Sequence, residues 1–195
     1  MAGVKETGAE DFCEPAYGVR SLSDLVPAAA RALGLPVGVP PSGLELPSAP
    51  SYVVFLIDGL GARLLERYAH AAPYLSSLLH GSAPATAGVP STTSTSLTSL
   101  GTGLSPGAHG LVGFTTRVPG TNDLLNALAW DQEVDPLEWQ PHTTAFSSLQ
   151  AAGAQYVLVP TIPDIALHLV TFFVAAMTAH TRLYATRPPA DRLTS

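Results

Sequence analysis

The residues of this chain with the clearest capacity for chemistry are one aspartate at the end of an apolar run and a dense tract of hydroxyls further along. The run reads Tyr52-Val-Val-Phe-Leu-Ile-Asp58-Gly59. A carboxylate at the carboxyl end of a buried strand sits where open α/β sheets keep their ligands, and the glycine beside it leaves room for another group to approach. Such an acid suits a hard or borderline cation. Two other readings stand beside this one: a turn aspartate capping the next helix, and a dinucleotide fingerprint built on Gly59 and Gly61. The fingerprint lacks its third glycine, and Asp58 would repel a pyrophosphate.

Residues 91–99 bear a hydroxyl at every position except Leu97. Alone, such a stretch reads as a Ser/Thr-rich linker. Leu97 and Leu100, with the closing Gly101-Thr102-Gly103, argue instead for a short helix over residues 94–100 that ends at Gly101 and is capped by Ser91, Thr92 or Thr93. A threonine hydroxyl at that start lies among unpaired N–H groups at the positive end of the helix dipole, which favours an alkoxide and holds a phosphate. A divalent cation on the same oxygen makes deprotonation feasible near neutral pH without a histidine base. His109, after a Pro106-Gly107 turn, reads as a structural histidine whose neutral ring bonds nearby backbone, with catalysis the alternative. Asn126 could donate to a phosphoryl oxygen or satisfy local backbone.

These side chains need elements to hold them. Ser21-Leu-Ser-Asp24 offers caps for an Ala-rich helix ending near Gly34, and the proline-rich residues 36–50 form a connector. Residues 51–57 are apolar and β-branched, which predicts a strand buried on both faces of a parallel sheet. Residues 62–79 carry helical spacings with a break at Pro73. Between Leu111 and Asn126 the pattern predicts a strand, a Pro119-Gly120 turn and a second extended piece. Residues 143–152 fit a helix, and residues 155–159 a buried strand stopped by Pro160. The order of elements argues for an α/β sandwich.

Strand-Asp58-Gly-Leu-Gly, then Pro90-Ser-Thr-Thr93, then Leu97-Thr-Ser-Leu-Gly-Thr-Gly-Leu-Ser-Pro-Gly-Ala-His109-Gly-Leu-Val-Gly113 together resemble the type I phosphodiesterase/nucleotide pyrophosphatase family of the alkaline phosphatase superfamily. The resemblance runs over about residues 51–160. It implies an alkaline-phosphatase-like fold, a three-layer α/β sandwich with a mostly parallel central sheet, incomplete in this chain. It also implies a two-zinc (Zn2+) hydrolase of phosphodiester or nucleotide pyrophosphate bonds that works through a covalent threonine intermediate. Carried over by position, the strand-end metal ligand falls on Asp58 and the nucleophile, itself a metal ligand, on Thr93, with Thr92 the near miss. The implied partner is a small-molecule phosphoester or nucleotide. Sulfatase-like relatives carry a cysteine or serine followed by Pro-x-Arg, which Thr93-Ser-Thr-Ser-Leu97 does not offer. The family's asparagine after the His-Gly pair is replaced by Leu111-Val-Gly-Phe114, which leaves its role empty or passes it to Asn126. The rest of the family's metal ligands include an Asp-His pair, and this chain has none. Asp164-Ile-Ala-Leu-His168 has a fitting Asp-x-x-x-His spacing but reads as coincidence.

Composition narrows the field further. At 195 residues, 46% hydrophobic and 12% charged, the chain can bury the core of one domain or a large piece of one. A net charge of −6 with Lys5 as the sole lysine disfavours a nucleic-acid groove. Cys13, the only cysteine, excludes an internal disulfide and a cysteine zinc cluster. Residues 1–20 hold charges without an apolar run, so a cytoplasmic location is expected. Residues 165–177 are greasy but fall short of the roughly twenty a membrane span needs. The expected division is residues 1–50 as leader, helix and connector, 51–160 as the N-terminal part of a phosphodiesterase-like catalytic domain, and 161–195 as a divergent tail, possibly out of frame. On that division the enzyme is truncated and impaired. The alternative is a non-catalytic remnant or interaction fragment.

Overall fold

The computed structural model describes residues 12–35, 41–160 and 172–178. A 3-10 turn, Leu22–Asp24, leads into helix α1, Leu25–Ala32. The Ser21 backbone N–H donates to the Asp24 carboxylate at 2.7 Å, which caps the 3-10 turn, the Ser21 hydroxyl donates to the same oxygen at 2.7 Å, and α1 itself carries no side-chain cap. From α1, Val26, Ala29 and Ala30 enter a core shared with Leu100 of α4 (Thr93–Thr102) and with Phe146 and Leu149 of α7 (Ala145–Ala151). Strand β1, Ser51–Ile57, adds Val54 to that cluster, with Tyr52 and Leu56 packed beside it.

Side chains alternate along a strand, so Val53 and Phe55 turn the other way. They remain 67% and 52% exposed. The expectation that β1 is buried on both faces is therefore corrected: one face is covered. The layer that follows β1, α2 (Ala62–Arg67) and α3 (Pro73–Ser77), buries no residue. Pro73 does break the helical stretch, standing in the first turn of α3.

Strands β4 (Gln155–Pro160) and β5 (Phe172–Thr178) join β1 in the order β1-β5-β4. Both pairings are antiparallel, with Ser51 and Gln155 each level with Thr178. β1 and β4 thus run the same way, as a parallel sheet requires, but β5 lies between them. The mostly parallel central sheet is not what the described residues form. β5 follows β4 across residues 161–171, shorter than the dozen or so residues of a parallel crossover, and returns antiparallel. The described fold is mixed α/β.

A second sheet pairs β2 (Thr115–Arg117) with β3 (Leu124–Asn126) around the Pro119-Gly120 turn, as the pattern predicts, and Leu125 is fully buried. Two short helices, α5 (Pro106–His109) and α6 (Pro136–Trp139), each open on a proline, whose fixed φ suits a first turn. Asp164, His168 and the tail apart from β5 lie outside the described residues. Among the described residues no helix is long and apolar enough to cross a membrane.

Candidate active site at the start of α4

β1 ends at Ile57 and delivers Asp58 into a tight turn. Gly59 has φ 73°, a left-handed conformation that glycine adopts without steric cost, and the turn reverses the chain toward α2. The N-cap of α2 is Gly61, and no side chain caps that helix, so Asp58 is not the capping aspartate of the simplest reading. Its Oδ2 instead accepts a hydrogen bond from Thr93 Oγ1 at 2.9 Å. The two residues are 35 apart in sequence.

Thr93 is the first residue of α4, and Thr92 is its extended N-cap. The segment is a helix rather than a linker, and its hydroxyls find partners within the helix itself. Thr98 Oγ1 donates to the Ser94 carbonyl at 2.8 Å, and Thr102 Oγ1 to the Thr98 carbonyl at 2.7 Å. Gly103, at φ 73°, closes it with its N–H on the Ser99 carbonyl. No side-chain cap closes the N-terminus of α4, the kind of helix start at which anions bind. Thr92 is turned away from Asp58: its hydroxyl donates to Thr95 Oγ1 at 2.9 Å.

Asp58 and Thr93 lie in one cleft of about 430 Å³, lined also by Leu60 and Thr86 and, from α4, by Ser96 and Leu97. Leu60 and Ser96 belong to motifs already singled out, whereas Thr86 carries no signal that could have marked it as a lining residue. His109 is not in this cleft. It is buried, and the Leu111 N–H donates to its Nδ1 at 3.1 Å, which leaves the ring proton on Nε2 facing Ser99 Oγ at 2.9 Å. Burial pushes its pKa below the ordinary imidazole value, and His142 acts in the same direction. Gln140 Nε2 donates to its carbonyl at 2.8 Å, a long-range tie without a sequence signal. His109 is the structural histidine of the first reading, a strut between α4 and the chain after α5. Asn126 is likewise local, its Oδ1 accepting from the Leu128 N–H at 3.0 Å.

The model of one protein family, type I phosphodiesterase / nucleotide pyrophosphatase, matches residues 52–192. The chain belongs to that family. The match continues past Pro160, where the motifs alone stop, and takes in the tail to residue 192. Members are phosphodiesterase- and pyrophosphatase-like hydrolases, generally metal-dependent. Neither a curated protein nor a solved structure matches the chain.

Family membership raises the question of zinc. Catalytic zinc takes three protein ligands and keeps one open position. Asp58 and Thr93 supply two oxygens, and among the described residues no three His, Cys, Asp or Glu side chains come together to hold an ion. The described donor set does not fit two zinc ions.

Proposed function

We propose that this family member is a hydrolase of phosphodiester or nucleotide pyrophosphate bonds with Thr93 as nucleophile and Asp58 as its partner, impaired as it stands. The observation that carries the reading is the 2.9 Å hydrogen bond from Thr93 Oγ1 to Asp58 at an uncapped helix N-terminus inside a cleft. In the step itself, the Thr93 oxygen forms a bond to phosphorus while the ester bond to the leaving alcohol breaks. The hydroxyl proton passes to Asp58 and then to the departing oxygen. Water later cleaves the threonine ester and releases the phosphoryl product. The N–H groups at the start of α4 hold the phosphoryl oxygen as charge builds on it.

A carboxylate is a weak base for an alcohol, so this pair alone drives a slow reaction. Asp58 and Thr93 are also the two metal ligands that family kinship assigns, with the other donors outside the described residues. Sequencing the locus and translating the downstream frames tests that part: finding no further Asp and His donors there counts against it.

The catalytic reading is tested with bis(4-nitrophenyl) phosphate and added zinc. Release of nitrophenolate is expected from the native chain and not from Thr93→Ala; equal release from both removes Thr93 from the chemistry. The two-oxygen donor set favours a second reading, a non-catalytic remnant of such an enzyme. It predicts no release from either protein.

A further inference from the structure

The cleft that holds Thr93 also has walls, and their chemistry bears on what it accepts. Leu22, Leu56, Ile57, Leu60 and Leu97 line it, and the polar lining residues besides Asp58 and Thr93 are Thr86, Ser91 and Ser96. Among the described lining residues there is no lysine, arginine or histidine and no aromatic ring. Arg20, Arg31 and Arg117 are each engaged by a backbone carbonyl, and Arg63 and Arg67 of α2 are not among the lining residues.

We infer that this cleft takes a phosphate or phosphonate ester whose substituent is uncharged and apolar, rather than a nucleotide. The inference rests on Thr93 being the phosphoryl-binding residue. A nucleotide asks for three things from a site: stacking for its base, partners for its ribose hydroxyls, and positive charge for any second phosphate. Among the described lining residues no ring is available for stacking and no positive charge for a second phosphate, and the partners for ribose hydroxyls are limited to Thr86, Ser91 and Ser96. Sugar hydroxyls pressed against leucine lose their water without replacement, which costs free energy. An aryl or alkyl group in the same place gains from leaving water. The volume of about 430 Å³ lies within the range of small-molecule sites.

Calorimetric titration of the full chain with phenylphosphonate and with AMP tests this. At pH 8 and above both probes carry a dianionic phosphorus head, so the difference reads mainly the substituent. Phenylphosphonate is expected to bind about tenfold tighter than AMP. Leu60→Ala, in a partly exposed turn outside the core, is expected to weaken phenylphosphonate about threefold and leave AMP unchanged. AMP binding as tightly as phenylphosphonate, or phenylphosphonate indifferent to Leu60→Ala, overturns the inference. Absence of phenylphosphonate binding overturns it too. The reading beneath it fails separately, through nitrophenolate release that survives Thr93→Ala.

Discussion

Helix α4 is anchored from several directions, whereas β1 is anchored on one face. Leu100 of α4 is 1% exposed in the core between α1 and α7, Ser99 is tied to the buried His109, and Gly103 stops the helix in a left-handed turn. β1 rests on Val54 with Tyr52 and Leu56, leaves Val53 and Phe55 in solvent, and leads into α2 and α3, which bury nothing. Thr93 comes from the first region and Asp58 from the edge of the second. The difference teaches that the hydroxyl is positioned by the core, while the carboxylate reaches it from a half-covered strand. Substitutions in the two regions therefore separate by size.

Leu100→Ala has the largest expected effect, about 2–5 kcal/mol of stability lost in urea unfolding, from lost burial plus a cavity. A loss below about 1 kcal/mol would put the core elsewhere and break the contrast. His109→Ala comes next, at about 1–3 kcal/mol, because it leaves the buried Ser99 hydroxyl and the Leu111 N–H without their ring partners. The same histidine makes the α4 region acid-sensitive. Its folded pKa is lowered, so as pH falls below about 6.5 the unfolded chain takes up the proton first and stability drops. Unfolding midpoints compared at pH 7.5 and pH 5.5 should show a loss in the native chain and a smaller one in His109→Ala.

Gly103→Ala sharpens the same side at a lower level, about 1–2 kcal/mol, since an L side chain at φ 73° crowds its own backbone. The smallest effect belongs to the other region. Tyr74→Ala, at a side chain 74% exposed, should move stability by no more than about 0.5 kcal/mol in either direction. A loss comparable to that of Leu100→Ala would mean that the α2–α3 layer is held as firmly as the core.

Much of the candidate site was legible because its cues are local. Ser51–Ile57 ends where the β-branched run ends, and Asp58-Gly59 makes the turn its glycine suggests. α4 starts at Thr93, beside its expected caps, but runs through Gly101 to Thr102 and is stopped by Gly103, two residues past the expected end. The β2–β3 hairpin surrounds its Pro-Gly turn. The failures lie where locality ends. The both-faces-buried strand was read from composition, but whether Val53 and Phe55 are covered depends on what packs from outside. Strand direction was read from the order of elements, and β5 entering between β1 and β4 turned each pairing antiparallel. The Ser99–His109–Gln140 network spans three separate segments and left no periodic trace.

From residue order alone came the chemistry on offer: a strand-end carboxylate, a hydroxyl-rich helix start and the glycines that bound them, all governed by sterics and capping within a few residues. Tertiary structure alone decided which hydroxyl meets that carboxylate. Thr93 faces Asp58 while Thr92 turns to Thr95, and nothing in the local pattern distinguishes two adjacent threonines. The choice follows from how α4 docks on the core and how β1 ends beside it, a packing of segments 35 residues apart that no short window of sequence contains.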